Sequence, residues 1–375
     1  MAGIYIHIPF CKQACHYCDF HFSTSLSLKK KLVLAIIEEI KMQRDFLSYE
    51  KIETIYFGGG TPSLLSPAEL IGILNTIKSI HAVDNNAEIT LEANPDDLSI
   101  TNLNIFKSSG INRLSIGVQS FHNSHLNYLN RAHDHSEAIN SINNARKVCF
   151  NNISIDLIYG IPHINHNLWI EDVETALELD IEHISAYCLT IEDKTVFGNW
   201  LKKGKIKAIE DEYAAQQYEI MLQKFKIKGY EQYEISNFSK PEYHSRHNRN
   251  YWFQVPYLGI GPGAHSFSKK LRQYNVSNNP IYIKAITSGQ IPATFDQLEP
   301  KDSINERIMI SLRTKWGLDL IQLKKEYGYD LLAEQSKYVT ELQSDGLAQI
   351  NKNRLVLNER GKLLADYISS ELFIE

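Results

Sequence analysis

Six short runs rich in β-branched and aromatic residues alternate with helical patterns along the first half of the chain, and this alternation limits the possible folds more than any other feature. The runs are GIYIHI (3–8), IETIYF (52–57), AEITLEA (87–93), INRLSIGV (111–118), NISIDLIYG (152–160) and HISAYCLTI (183–191). Between them, segments such as LKKKLVLAIIEEIKMQRDFL and SPAELIGILNTIKSI carry apolar residues at helical spacing, and in the second Ser66 and Glu69 form a capping-box pattern. Strand–helix alternation of this kind reads as βαβ units, hence an α/β fold with a parallel sheet, open or closed into a barrel. Polar residues stand late in the runs or just past them: Gly58, Gly59, Gly60 and Thr61, then Glu92, Gln119, Asp156 and Thr190. Parallel α/β sheets and barrels place their ligand sites at that end.

The pattern changes after about residue 200. An amphipathic helix over roughly 208–228 is followed by YEQYEISNF, HNRNYWFQVPYLGIGPGAHSF and RQYNVS, which read as further strands extending the sheet. From about 302 the chain reads as three helices and a hairpin, LAQINKNRLVLN, turning at Lys352-Asn353, which resembles a small winged-helix unit. Three regions result: 1–200, 201–300 and 301–375. Acidic and basic residues are mixed in the last, so packing or a lid role is expected there and DNA contact is not. Across the chain 39 basic residues face 44 acidic ones, a formal charge of -5, which argues against nucleic acid as a partner. Neither a secretory leader pattern nor a long apolar stretch is present, so a cytoplasmic location is expected.

Three of the five cysteines, Cys11, Cys15 and Cys18, fall within the loop FCKQACHYCDFHF directly after the first run. Cys149 and Cys188 stand alone in apolar sequence and are expected to be core residues. A clustered triplet in a reducing compartment points to metal or redox chemistry. The spacing alone permits a structural zinc with His21 as fourth ligand. It also permits an iron–sulfur cluster held by three thiolates, with one iron left open to a further ligand.

The string CxxxCxYC after the first strand, followed by GGGTP, resembles the radical S-adenosylmethionine (radical SAM) enzymes. The resemblance implies a partial (β/α)6 barrel with C-terminal additions. It also implies a [4Fe-4S] cluster on Cys11, Cys15 and Cys18, SAM chelating the fourth iron through its amino and carboxylate groups, and an electron donor that reduces the cluster so that SAM is cleaved to a 5′-deoxyadenosyl radical. Most of the chain further resembles the family of the oxygen-independent coproporphyrinogen III dehydrogenase, through IHIPFC, FGGGTPS, LEANP, NRLSIGVQS, IDLIYGIP and LGIGPGAHS. Carried over from that family, the SAM contacts fall on Tyr5, Tyr17, Gly59, Gly60, Thr61, Glu92, Gln119, Arg131, Asp156, Thr190 and His265, the last two as backbone contacts only. These residues supply the donors and acceptors that a zwitterionic nucleoside needs, and the glycines admit close backbone approach.

Two departures separate the chain from the dehydrogenase. Phe20 stands where that family has a further cysteine, and no long arm precedes the first strand. YCDF and HNRNYW (247–252) match instead a sister group of heme chaperones. That likeness implies a protein that keeps cluster and SAM, binds heme and delivers it to respiratory apoproteins, with oxidative decarboxylation of coproporphyrinogen as the alternative. It leaves room for peripheral association with a membrane and for a homodimer. Within HNRNYW, His247 suits a heme-iron ligand and Tyr251 and Trp252 suit the macrocycle face; His244 and His265 are neighbouring candidates for the axial position.

Overall fold

In the computed structural model, which describes residues 1–268 and 271–375, twelve strands form one sheet. They are β1 (Ala2–Ile8), β2 (Ile52–Gly59), β3 (Val83–Ala93), β4 (Arg113–Gln119), β5 (Ile153–Tyr159), β6 (His183–Cys188), β7 (Glu231–Glu234), β8 (Asn237–Ser239), β9 (Tyr257–Ile260), β10 (His265–Ser268), β11 (Leu271–Asn275) and β12 (Ala293–Gln297). The order is β12-β11-β10-β9-β1-β2-β3-β4-β5-β6-β8-β7, with two edges, so the barrel is open. From β9 through β6 neighbouring strands run parallel, and antiparallel strands extend both sides.

The parallel strands alternate in polarity, although strands covered by helices on both faces usually read as continuous apolar runs. On one face lie Ile4, Ile6 and Ile8 of β1, Ile55 and Phe57 of β2, Leu91 of β3 and Ile155 of β5, all fully buried. Helices Lys29–Met42, Pro67–Ile80, His135–Lys147 and Asn167–Glu178 pack their apolar stripes into the same core. Each such side chain contributes about 1.5–3 kcal/mol by leaving water. The capping box expected at Ser66 and Glu69 is formed, and it starts Pro67–Ile80.

The other face is polar, because successive side chains on a strand point to opposite sides. Register puts Tyr5 beside Tyr56, Thr54 beside Glu88, Thr90 beside Arg113, Glu92 beside Ser115, and Asp156 beside Ser185. This face holds the candidate site.

Three expectations change. HNRNYW is not a strand but the helix Arg246–Trp252, capped by the Ser245 side chain on the Asn248 N–H; that cap and the absence of β alternation settle its form. Cys149 is exposed and takes φ 62° just past helix His135–Lys147, so it ends a helix and does not fill the core. Cys188, at the end of β6, is only half-buried.

The C-terminal unit has its own core, including Ile308, Leu312, Leu323, Leu355 and Leu372. Its helix Pro300–Leu312 leads to β13 (Leu318–Asp319), three short helices and the hairpin of β14 (Ala348–Asn351) and β15 (Arg354–Leu357), with the turn at Lys352-Asn353 as expected. Both turn residues have positive φ, 47° and 65°, the signature of the tight turn that matches strand twist. A third strand, β13, pairs with β15, and two helices follow the hairpin, so the unit is larger than the sequence pattern indicates. It is attached to the sheet near β7: the Ile235 N–H donates to Arg313 O and the Lys315 N–H to Tyr233 O, both at 3.1 Å.

Candidate cofactor site

The cysteine loop leaves the carboxyl end of β1 and is pinned where it starts. Ile8 O accepts from the N–H groups of Phe10 and Gly60, each at 2.9 Å, and the Cys11 N–H donates to Ser23 O at 3.1 Å. The Lys12 ammonium donates to Asp96 Oδ2 at 2.6 Å, tying the loop to the turn after β3. Cys11, Cys15 and Cys18 are half-buried. Arg131 Nη1 donates to Cys15 Sγ at 3.2 Å and to the Tyr17 hydroxyl at 3.4 Å, while its Nη2 donates to Asn94 Oδ1 and Gly117 O at 2.7 and 2.8 Å. One guanidinium therefore fastens the cysteine loop to the ends of β3 and β4. Burial, together with the charges of the neighbouring cysteines, pushes the Cys18 thiol up to about 12, and burial also raises Cys11. Thiols so placed resist ionisation alone and become good ligands beside a cationic metal centre.

Three thiols carried on one loop suit an iron–sulfur cluster, which is held by thiolates. A single zinc would need a fourth donor beside them. His21 is committed elsewhere, with Nε2 2.8 Å from Asn279 Oδ1.

The glycine run lies against the loop. Gly59 has φ +107°, and a Cβ there would stand 2.5 Å from the His7 ring; a Cβ on Gly60 would stand 2.7 Å from the Phe10 backbone. These glycines are thus required by the chain's own packing as well as by any ligand's approach. Replacing Gly59 with alanine is expected to lower stability by about 1–3 kcal/mol, because the left-handed backbone is strained for other residues and His7 must move; unfolding in urea without ligand measures it. The Gly59 N–H donates to Glu92 Oε2 at 3.1 Å, and the Tyr56 hydroxyl donates to Glu92 Oε1 at 2.8 Å. Thr61 is buried, within 3.4 Å of Asn94 Nδ2 and in contact with the Cys11 thiol.

Two acids share the interior. Burial raises Glu92 to about 7, helped by the nearby Asp156 charge, and burial raises Asp156 to about 6 against a hydrogen bond from Ser185. Arg113, buried between them on β4, pulls both down. Gln119 closes β4 with φ +67° at a register shift, and its amide lies beside Gly117 and Arg131. Tyr5 faces the same interior, with its hydroxyl 3.2 Å from His7 Nδ1. The structure thus brings together Tyr5, Tyr17, Gly59, Gly60, Thr61, Glu92, Gln119, Arg131 and Asp156 near the three cysteines. Thr190 is exposed beyond the end of β6; His265, exposed at the start of β10, is close enough for its charge to act on His7. His7, Asn94, Arg113 and Ser185 also belong to the interior and were not singled out from sequence. Their signal was the alternation itself: IYIHI, EITLEAN, RLSI and HISAY each place a polar residue at every second position.

HNRNYW sits at the opposite end of the strands. The N–H groups of Arg246 and His247 donate to the Glu88 carboxylate at 3.0 Å, in the middle of β3 and level with Thr54 near the start of β2. His247 is buried beside Gly3, with Nδ1 2.8 Å from Thr54 Oγ1 and Nε2 2.9 Å from the Tyr251 hydroxyl, and it stacks on Tyr56 at 5.0 Å. Both ring nitrogens of His247, the residue expected to suit heme iron, are therefore engaged inside the barrel, and Tyr251, bonded to it, is turned inward too. From Gly3 to Ile8 the strand advances five residues, roughly 16 Å at about 3.3 Å per residue, so this segment is well removed from the cysteine loop. Trp252 faces outward toward the C-terminal unit, where Arg313 lies 6.0 Å over its ring. His244 is also occupied, 3.2 Å from Glu231 Oε2.

Residues 5–176 match the radical SAM superfamily and residues 298–364 match the HemN C-terminal domain. The chain is 36% identical over 377 aligned residues to the heme chaperone HemW of Bacillus subtilis, covering 98% of each chain. It is 32% identical to the heme chaperone HemW of Lactococcus lactis, covering 99% of this chain and 97% of that one. In fold it is similar to the coproporphyrinogen III oxidase HemN of Escherichia coli, described as a radical SAM enzyme, with TM-score 0.83 and 23% identity over 99% of this chain and 90% of the other.

Proposed function

The chain belongs to the radical SAM superfamily and, within it, to the family of the heme chaperone HemW, and from that membership we propose that it binds heme and passes it to apoproteins of the respiratory chain. The observation that carries this reading is the match along nearly the whole chain to proteins named as heme chaperones. In this reading Cys11, Cys15 and Cys18 hold a [4Fe-4S] cluster, and SAM is bound by the residues gathered at the carboxyl ends of the strands. When bound, that pair supplies one-electron chemistry, the reductive cleavage of SAM. The chain's own part is positional. Arg131 holds Cys15 and Tyr17 against the ends of β3 and β4, Glu92 and Asp156 offer carboxylates to the cationic groups of SAM, and the Gly59–Gly60 turn brings main chain to the same place. Phe20, with 69% of its surface exposed, stands in place of a further cysteine, so the loop offers three thiolates.

The test is a heme titration of the purified, cluster-reconstituted protein beside an anaerobic assay for porphyrinogen formation. Saturable heme binding without turnover is expected. Catalytic conversion of coproporphyrinogen with no saturable heme binding would replace this reading with the dehydrogenase one.

The position of His247 leads to a separate expectation. His247→Ala leaves Thr54 and Tyr251 without their buried partner, at about 1–3 kcal/mol for each unpaired group, while the heme absorption spectrum stays that of the wild type. Urea unfolding and the heme spectrum, measured on the same preparation, check both halves.

A further inference from the structure

A narrow cleft lies between the end of helix Arg246–Trp252 and the C-terminal unit, on the outside of the sheet and away from the cysteine loop. Trp252 and Phe253 form one wall; Trp316, Arg307, Leu323 and Arg354 are prominent in the other. Phe253 is 43% exposed and packs against Trp316 with ring centroids 4.8 Å apart, so a large apolar surface is held at the mouth of the cleft by residues from two separate units. Aromatic rings fixed in this way present flat faces at little entropic cost.

The polar groups of the cleft point to what the ligand carries. Trp252 Nε1 and Arg307 Nε are both shielded from water, and both lack a hydrogen-bond acceptor among the described residues. Two unpaired buried N–H groups in one cleft are unusual, since each costs about 1–3 kcal/mol unless an acceptor arrives. Arg307 is also weakly committed, with Glu326 at 3.4 Å, whereas Arg354 is firmly paired to Asp319 at 2.8 Å. Donors of this type, one indole and one guanidinium, suit a carboxylate. None of the described residues lining the cleft is His, Cys or Met, and the carboxylate of Asp319, which also lines it, is taken by Arg354.

We infer that this cleft takes the carboxylate-bearing edge of a planar tetrapyrrole, with Trp252, Phe253 and Trp316 against the ring and Trp252 Nε1 and Arg307 on a carboxylate. The inference rests on the heme reading above and deepens it: recognition at this site is by ring and carboxylate and does not involve the iron.

The experiment is a set of absorbance and tryptophan-fluorescence titrations of the full-length protein with hemin, metal-free protoporphyrin and the dimethyl ester of hemin. They are carried out on the wild type, Trp252→Phe and Arg307→Gln. The wild type is expected to bind hemin and the metal-free diacid with affinities within about threefold of each other, and the ester about tenfold more weakly, the factor that follows from losing one charge-assisted hydrogen bond. Trp252→Phe, which keeps a ring and removes only the N–H, and Arg307→Gln should each weaken hemin by a similar factor and leave the ester unchanged. The ester comparison needs no substitution, so it holds even if Arg307→Gln unfolds. Equal binding of acid and ester, with both variants like the wild type, overturns the cleft assignment while heme binding itself stands. Absence of saturable hemin binding by the wild type overturns the heme reading and this inference with it.

Discussion

Replacing Cys15 with serine is expected to abolish the visible iron–sulfur absorption after anaerobic reconstitution, and Cys11→Ser and Cys18→Ser should do the same. Iron–sulfur clusters are held by thiolates, and a serine hydroxyl gives up its proton far less readily. Cys15 has a second role that makes it the most informative of the three: its sulfur accepts from Arg131, which also holds Asn94 and Gly117, so losing this ligand also removes one of the ties between the loop and the strand ends. Cys149→Ser and Cys188→Ser should leave iron content unchanged. The first lies exposed past a helix end, and the second sits beside Tyr159 at the end of β6. Retention of a four-iron cluster in Cys15→Ser, judged by iron and sulfide content, would show that the donors lie elsewhere.

The second large effect concerns pH. Glu92 is raised from 4.5 to about 7 and Asp156 from 3.8 to about 6, in each case first of all by burial. Because the folded protein holds these protons more tightly than the unfolded chain, stability without ligand is highest below the unfolded values. It falls as pH rises through the window from about 4 to 7 and stays low above it. For Glu92 alone the difference is roughly 3 kcal/mol. A cationic ligand reverses the preference, since the sulfonium and ammonium of SAM favour the ionised acids; SAM should therefore bind more tightly at pH 8 than at pH 6. Glu92→Gln should make the ligand-free protein more stable at pH 8 and flatten both dependences. Urea unfolding and calorimetric SAM titration at the two pH values measure this, and a pH-independent affinity in the wild type would place the cationic end of SAM away from Glu92.

Much of the candidate site was legible because its signals are local. The cysteines lie within eight residues of one another, so the loop that carries all three is read directly from the sequence. The capping box at Ser66 and the turn at Lys352-Asn353 each involve only a few neighbouring residues, and both are formed as expected. HNRNYW was less legible, and it forms a helix where a strand was expected. Its aromatic and polar composition suits a ligand surface, yet whether His247 meets a ligand or the barrel interior depends on Thr54 and Glu88, more than 150 residues away in sequence.

The sequence by itself therefore determined the α/β alternation, the parallel pairing it entails, the place of the cysteine loop after the first strand and the local caps and turns, since hydrophobic period, side-chain hydrogen bonds and short spacing act over about a dozen residues. Only the tertiary structure decided that Tyr5, Tyr56, Glu92, Arg113 and Asp156 share one polar face, that Arg131 reaches back to Cys15, and that Trp252 meets Arg307 and Trp316 across a cleft. Those contacts depend on strand order and on where a separate C-terminal core docks, and both arise from burial summed over the whole chain.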